Sequence, residues 1–466
     1  MIDPSLIIEC SANTVCSVGH AVVMSLLLFA TLMGGFAYTT LLERRLVAAF
    51  QHRVGPNRVG IGGIAQPIAD GIKLITKEDV TPASADKVIF WLAPAIKVVP
   101  TLIVLAVVPL GPPLLLPWFD GHWYRVPLGL ADVNVGVLWI LAITSISTYG
   151  IVLAGWASAN KYAMLGGLRA SAQMISYELS MGLAIVVPIM IVGSMSMGDI
   201  IEAQASPPIL GWFAFQNPLA AGILLVAMLA ETNRAPFDMP EAESELTGGY
   251  HTEYSGMKFA LFFAAEYISM ITISAIVAAL FFGGYYWPLP LVEQAPILGP
   301  INVFIKVVVF LALFVWVRAT LPRIRYDRLM AFGWKVMLPL SLLAVAWSAV
   351  SLALGDLTAD PNGYMIAAGI VFGLVLLIVL VGLWRRSLPE RRPEMTDARA
   401  GLGWMIVQVV GALIAPPFAV YDWLVKQRRE AEAFVDDLRR QREQAEAARI
   451  QAAAPVEPPP GTAEAP

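Results

Sequence analysis

The stretch ETNRAPFDMPEAESELTGGYHTEYSG occupies residues 231–256 and lies between two strongly apolar runs, Pro218 to Ala230 and Phe259 to Phe282. Apolar runs on both sides indicate a loop that connects two membrane spans. Pro236 and Pro240 exclude a continuous helix through the first half of the loop. A charged run of this kind is most often a solvated surface loop. We expect a fixed, negatively charged turn at a membrane surface.

The composition around this loop is that of a polytopic membrane protein. The 466 residues are 58% hydrophobic and 14% charged, with a mean hydropathy of +0.68, which is too apolar for a soluble domain. The two cysteines and four histidines form no pattern typical of metal or haem ligands, so we predict no redox centre in this chain. The net charge of -4, without a basic patch, argues against nucleic acid as a partner.

Nine apolar runs are long enough to be considered as membrane spans, each of which needs about 20 residues. The sequence therefore predicts an all-α polytopic fold. No lysine or arginine precedes the first run, so we expect that run to be retained and not cleaved as a signal peptide. The runs are Ala21 to Leu42, Val88 to Leu110, Val135 to Ala157, Ala172 to Ser194, Pro218 to Ala230 (starting nearer Phe213), Phe259 to Phe282, Val303 to Val317, Val336 to Leu354 and Tyr364 to Trp384.

Lysines and arginines are concentrated after the odd-numbered runs, and the even-numbered loops hold only Arg125. Because such residues stay on the cytoplasmic side, the N-terminus is predicted outside and the acidic loop inside. Cys10 and Cys16 then face an oxidising compartment, where a disulfide and two free thiols are both possible. The run from Tyr364 to Trp384 adds a crossing, which predicts a cytoplasmic C-terminus.

These features predict five regions along the chain. The last region has the composition of a disordered tail. The regions are an outward-facing segment (1–20), an eight-helix membrane domain (21–355), an additional transmembrane helix with a basic linker (356–400), an interfacial segment with a charged cytoplasmic helix (401–450) and the tail (451–466).

The first cytoplasmic loop contains an amphipathic helix of its own. Five isoleucines between Ile61 and Ile75 recur at spacings of three and four, and polar residues occupy the opposite face. Such a helix should lie flat in the membrane interface. Asp70 and Lys73, one turn apart, form a charged pair that suits a partner surface, although a plain interfacial anchor is also possible.

Three ionisable residues fall at a similar depth inside predicted spans: Lys97, Glu178 and Glu266. An ionisable group at such a depth is costly and faces the bundle interior or a watery cavity, so it is a functional candidate. The alternative is a salt bridge that only holds helices together. The sequence leaves open whether Lys97 would pair with Glu178 or with Glu266.

Four strings resemble the membrane subunit of NADH:quinone oxidoreductase, respiratory complex I, called the H subunit in bacteria and subunit 1 in mitochondria. They are ERR with GPNRVG and QPIADGIKLITKE, then GWASANKYAMLGGLRASAQMISYE, then the loop at 231–256, and RATLPRIRYDRLM from Arg318. The resemblance covers roughly Ala21 to Gly355 and implies eight spans, a lateral opening for quinone, and an acidic path leading inward. It also implies a bacterial inner membrane, other membrane and peripheral subunits as partners, and NAD, FMN and iron–sulfur clusters on those partners.

The resemblance assigns roles to individual residues of this chain. Lys97 is outside the family pattern, so a buried cation beside the acidic path would alter its charge balance. The implied proton or charge relay consists of Glu178, Glu231, Glu243 and Glu266. The implied quinone-cavity residues are Glu43, Arg44, Asp70, Lys73, Asp238, Glu241, Arg318 and Arg325.

Two other functions fit parts of the sequence. The equivalent subunit of a membrane-bound hydrogenase or a related complex shares this ancestry and need not use quinone, but the intact ETNRAPFDMPEAESEL string favours the quinone enzyme. A cation/proton antiporter would also carry buried acids and lysines. Against it, the polar residues are concentrated in the cytoplasmic loops, where a soluble partner would dock.

Overall fold

The computed structural model describes residues 7–117, 122–207, 211–239, 248–287, 295–358, 363–364 and 366–370. In these residues, seven helices are long and apolar enough to cross a membrane, and the helix Pro218–Glu231 is apolar but shorter. The first eight predicted spans each coincide with one of these helices. The all-α polytopic fold is therefore confirmed. The ninth predicted run lies mostly, and the predicted C-terminal regions lie entirely, outside the described residues.

The helices and strands are numbered in chain order. The helices are α1 (Thr14–Phe50), α2 (Gln66–Thr76), α3 (Lys87–Val104), α4 (Gly136–Ala157), α5 (Lys161–Val192), α6 (Met197–Glu202), α7 (Phe213–Gln216), α8 (Pro218–Glu231), α9 (Gly256–Phe281), α10 (Leu298–Thr320), α11 (Tyr326–Phe332) and α12 (Leu338–Thr358). A π-helical turn, Gly333–Met337, joins α11 to α12. The strands are β1 (Ile7–Glu9), β2 (Leu114–Pro117) and β3 (Trp123–Val126).

Helix α9 forms the centre of the bundle, and α1 lies at its periphery. In the most apolar 18-residue window of each helix, 78% of the α9 residues are buried but only 6% of the α1 residues. The core around α9 contains large buried side chains, among them Tyr177, Phe213 and Phe314. An apolar helix with an exposed surface is suited to lipid or to a partner subunit, so α1 has the properties of a lateral wall.

The fifth predicted span is broken near its start. Helix α7 begins at Phe213, as expected for this run, and Asn217 then separates it from α8. The Asn217 side chain accepts a hydrogen bond from Ala220 N (3.0 Å) and donates to Ala344 O (2.9 Å) and Ser348 Oγ (2.8 Å). The break is therefore capped and tied to α12, which satisfies polar groups in an apolar setting.

A small sheet near the N-terminus was not predicted. β3 pairs in parallel with β1 and antiparallel with β2. Cys10 and Cys16 form a disulfide with their Cα atoms 5.4 Å apart, which decides between the two states that the sequence left open. Helix α1 also begins at Thr14, earlier than the apolar run, because the Asn13 side chain caps its first turn.

Helix α2 has the predicted amphipathic character but a later start. The isoleucine pattern begins at Ile61, whereas the helix begins at Gln66. Gly60, Gly62 and Gly63 adopt positive φ angles, which are incompatible with a regular α-helix through this segment. Ile68, like the later isoleucines of the stripe, is exposed. This face is available to a lipid interface.

The loops that follow the odd-numbered predicted spans meet at one end of the bundle, which we call the cationic end. Backbone and side-chain hydrogen bonds join them directly. These are Asp86 N to Ala157 O (3.2 Å), Val80 N to Ser255 Oγ (3.0 Å), Asn160 Nδ2 to Glu253 Oε1 (2.7 Å) and Ile324 N to Pro236 O (3.0 Å).

Candidate functional site

The turn after α8 is held by a buried side chain of α5. Gln173, which is fully buried, donates hydrogen bonds from Nε2 to Ala230 O and to Phe237 O, each at 2.8 Å. Asn233 adopts a left-handed conformation (φ 51°), which Asn tolerates better than most residues. These features reverse the chain just beyond the membrane helix and fix Arg234 in a buried position.

Arg234 lies between two carboxylates from different helices. Its Nη1 is 3.8 Å from Glu43 Oε1 and its Nη2 is 3.8 Å from Glu266 Oε2. Arg318 donates a hydrogen bond to Glu43 Oε1, and His251 Nε2 is 3.8 Å from Glu266 Oε1. We call these five side chains the acid–base cluster. With both carboxylates ionised and both arginines charged, the cluster is neutral when the histidine is neutral.

Three side chains of the acid–base cluster are nearly withdrawn from solvent, whereas Arg318 is 31% exposed and His251 is 11% exposed. The side chains of Arg234, Glu43 and Glu266 are 4%, 8% and 5% exposed. The Tyr267 ring lies against Arg234, with its centroid 4.2 Å from the guanidinium carbon. Charges in such surroundings interact more strongly than in water, so adding or removing one proton changes the energy of the whole cluster.

A cavity of about 890 Å³ opens beside this cluster, between α1, α9 and α10. Its volume is in the range that accommodates a drug-sized organic molecule. The cavity wall combines charged groups with apolar side chains, which suits an amphiphilic ligand. The residues that line it are Glu43, Arg44, Val47, Ala48, Phe50, Gln51, Arg53, Val54, Gly55, Pro56, Arg234, Phe263, Tyr267, Arg318 and Ala319.

Arg44 connects this cavity to the amphipathic helix α2. Its Nη1 lies 2.7 Å from Asp70 Oδ2, and Lys73 Nζ lies 3.7 Å from Asp70 Oδ1. The Lys73 side chain is 67% exposed, whereas that of Asp70 is 23% exposed, so the contact with Arg44 is the closer and less solvated one. The polar face of α2 is thus tied to the cavity wall.

The three ionisable residues predicted at a common depth have different neighbours. Glu266 belongs to the acid–base cluster, and Glu178 accepts a hydrogen bond from Ser145 Oγ. Lys97 donates from Nζ to Ser147 Oγ at 3.4 Å and lines a second, much smaller cavity together with Glu231.

The remaining predicted site residues are placed less centrally. Asp238 is buried in the turn after α8. Arg325 is exposed and pairs with Asp327 at 3.4 Å, and among the described cavity-lining residues Arg318 is present but Arg325 is not. Glu241 and Glu243 lie outside the described residues.

Three members of this site were not predicted as site residues: Arg234, His251 and Tyr267. Arg234 and His251 stand in the loop at 231–256, where opposite charge among so many acids is the signal that could have identified them. Tyr267 directly follows Glu266 in sequence, yet nothing in the pattern indicates that its ring contacts Arg234.

A further buried lysine near the opposite end of the bundle was also missed. Lys306 of α10 donates hydrogen bonds from Nζ to Phe282 O (2.6 Å), Gly284 O (2.8 Å) and Tyr286 O (2.5 Å). It therefore ties α10 to the segment that follows α9. A lone base within an apolar run was the available signal, as it was for Lys97.

The fold and the site together define a helical membrane protein. At the cationic end of its bundle it holds a partly charged cavity large enough for a drug-sized organic molecule. A family model described as NADH dehydrogenase matches residues 23–349, and the chain belongs to this family.

Similar proteins carry a consistent name. The H subunit of the NADH-quinone oxidoreductase of Syntrophotalea carbinolica is 50% identical over 319 residues, which are 68% of this chain and 92% of that protein. The H 2 subunit of the same enzyme from Geobacter sulfurreducens is 48% identical over 327 residues, 70% of this chain and 94% of that protein. NADH-quinone oxidoreductase subunit 8 of Rhodothermus marinus is 49% identical over 324 residues, 67% of this chain and 91% of that protein.

Proposed function

We propose that this chain is the membrane subunit of a proton-translocating NADH:quinone oxidoreductase, complex I, and that its cavity of about 890 Å³ admits quinone. The names of the similar proteins support the enzyme, and the cavity is the observation that carries the site. Other membrane and peripheral subunits are its partners, and the NAD, FMN and iron–sulfur clusters of the reaction belong to them.

The cavity wall matches the chemistry of a quinone. A quinone has a polar ring with two carbonyl oxygens and an apolar tail. Val47, Phe50 and Phe263 supply apolar contacts for a tail, and Arg234 and Arg318 supply donors near the ring. Reduction to the quinol takes up two electrons and two protons, so the ring next to the acid–base cluster gains negative charge with the electrons and loses it when the protons arrive.

A change of charge at the cluster can be passed to other buried acids. Among the proposed relay acids, Glu266 contacts Arg234 of the cavity wall and is therefore the first to respond to a change at the ring. Glu231 and Glu178 lie within electrostatic reach of each other, and we propose that they continue the relay. Glu243 is proposed as a further member on the family pattern alone.

The orientation of the chain belongs to the same proposal. The cationic end faces the cytoplasm of a bacterial cell, at the inner membrane, because lysines and arginines are retained on that side. The N-terminal sheet and the disulfide then face outward. The domain boundaries proposed from the sequence, with an additional transmembrane helix in 356–400 and a cytoplasmic C-terminus, are retained as part of this proposal.

The alternative functions receive less support. The similar proteins from Syntrophotalea carbinolica and Geobacter sulfurreducens are named as quinone oxidoreductase subunits, and neither name refers to a hydrogenase or an antiporter. We therefore retain the quinone enzyme as the proposed function.

Filling the cavity tests this function directly. Val47→Trp places an indole ring in the cavity wall, and Val22→Trp adds the same ring to an exposed position of the same helix. In membranes that contain the complex, Val47→Trp should raise the KM for quinone about tenfold or more, because a loss of about 1.4 kcal/mol of binding free energy weakens binding tenfold. Val22→Trp should leave KM unchanged.

Electron transfer from NADH to a water-soluble acceptor serves as the assembly control, because it does not require the quinone cavity. It should be equal in both variants. Equal KM values for quinone in the two variants, with intact assembly, would refute the assignment of this cavity.

A further inference from the structure

Lys97 is a buried cation that the acid–base cluster does not use. It is 3% exposed and lies in α3, whose other residues are apolar except for Lys87 at its start and Thr101. Helix α3 packs against α4 and α9. A lysine at such a depth is costly unless it is paired or hydrated, so its surroundings should contain a compensating group.

The compensating groups converge on a small cavity of about 20 Å³. Besides Lys97 and Glu231, it is lined by five hydroxyl-bearing residues, Thr101, Thr144, Ser147, Ser269 and Thr272. A polar cavity of this size has room for about one water molecule, which needs two to four polar partners. This cavity therefore has the size and the polar lining of a hydration site.

Both charged groups have unused hydrogen-bonding capacity at this cavity. Among the described residues, Ser147 Oγ is the hydrogen-bond partner of Lys97 Nζ, which carries three donors. Glu231 Oε2 is buried and has no hydrogen-bond partner in the described part of the chain. One water in the cavity can accept from Lys97 and donate to Glu231, which satisfies both groups.

The other two candidate partners of Lys97 are engaged elsewhere. Glu178 accepts from Ser145, and Glu266 contacts Arg234 and His251. Glu231 is also the carboxylate that shares the cavity wall with Lys97. These contacts favour Glu231 over both candidates that the sequence suggested.

We propose that Lys97 is the counter-ion of Glu231, joined to it through a single water, and that it acts as a positioning residue for the proton relay. The proposal rests on the proposed function. When Glu231 binds a proton, the cavity carries one net positive charge from Lys97. When Glu231 releases that proton through the water, the pair becomes neutral. Lys97 therefore favours release of the proton from Glu231 to the next group of the relay.

A set of double-mutant cycles in the assembled complex tests this pairing. The variants are Lys97→Met, Glu231→Gln and their combination, with parallel cycles that combine Lys97→Met with Glu178→Gln or with Glu266→Gln. Quinone-linked turnover and the number of protons pumped per NADH are measured in sealed membrane vesicles. Reduction of a water-soluble acceptor by NADH reports assembly.

We expect Lys97→Met to lower turnover and pumping, and the Lys97→Met/Glu231→Gln double variant to be no slower than Glu231→Gln alone. The coupling should be about tenfold or more, and the cycles with Glu178 and Glu266 should be multiplicative within about twofold. A multiplicative result for Glu231, equal coupling to all three acids, or normal turnover and pumping in Lys97→Met would overturn the proposal.

Two further outcomes are distinguishable. If Lys97→Met alone does not assemble, the pairing predicts that adding Glu231→Gln restores assembly, since no unpaired buried charge remains. Failure of the double variant to assemble would then count against the pair. The proposed function fails separately, through the comparison of Val47→Trp with Val22→Trp, which does not involve Lys97.

Discussion

The contact between Lys258 and the segment after α2 gives a prediction of defined size. Lys258, in the first turn of α9, places its Nζ 3.0 Å from Asp79 Oδ1 and 2.8 Å from Thr81 Oγ1. Its side chain is 3% exposed, and Nζ lies 4.2 Å from the centroid of the Trp91 ring. Between the two contacts, Val80 N donates to Ser255 Oγ at 3.0 Å. Lys258 thus fastens the segment 79–81 to the bundle.

The perturbation is Lys258→Met, which keeps an unbranched apolar side chain against Trp91 and removes the ammonium group. Removing one partner of a fully buried ion pair costs about 3–5 kcal/mol. The Asp79 side chain is 37% exposed and can regain water, so the loss should be closer to that of a hydrogen bond to a charged group, about 1.5–3 kcal/mol. Local opening of the segment should become about 10- to 150-fold more frequent.

Hydrogen–deuterium exchange at the Val80 amide measures this opening. In the assembled complex, the exchange rate of this amide should rise about 10- to 150-fold in Lys258→Met. Lys73→Met, at a side chain that is 67% exposed, is the matched control and should leave the Val80 rate unchanged. The same exchange rate at Val80 in wild type and in Lys258→Met would refute the reasoning.

Three other contacts lead to measurable outcomes. Asp70→Ala should lower quinone-linked activity about as much as Arg44→Ala. Lys73→Ala should have little effect, because exposed ion pairs contribute about 0–1 kcal/mol. Equal losses of activity in all three variants would contradict this ranking. Cys10→Ser should cost about 2 kcal/mol by removing the disulfide, and alkylation of the wild-type chain without reductant should label neither cysteine. Gln173→Leu removes the hydrogen bonds from Gln173 to Ala230 O and Phe237 O, each of which contributes about 0.5–1.5 kcal/mol, so thermal dissociation of the purified complex should begin at a lower temperature.

Elements with a strong periodic signal could be predicted from the sequence. Apolar runs of about 20 residues identify helices because hydrocarbon requires internally satisfied backbone groups. The isoleucine spacing identified α2, although positive φ angles at three glycines moved its start to Gln66. The sheet was missed because strands of three or four residues carry almost no periodic signal.

Contacts between distant residues could not be read from the sequence. Lys97 and Glu231 share a cavity although more than a hundred residues separate them, and depth along separate helices does not determine which side chains face each other. Gln173 stands in an apolar context where an amide has no obvious use, yet it fixes the turn that holds Arg234. Tertiary packing decides such roles.

The central claim is that the cavity next to the acid–base cluster binds quinone, and photolabelling of the assembled complex tests it most directly. A quinone analogue with a photoreactive group on its ring would be irradiated in membranes, and the labelled peptides of this chain identified by mass spectrometry. We predict adducts on residues that line the cavity, near Val47 and Phe263, that disappear when excess unlabelled quinone is present. Labelling that avoids these residues, or that excess quinone does not suppress, would contradict the account.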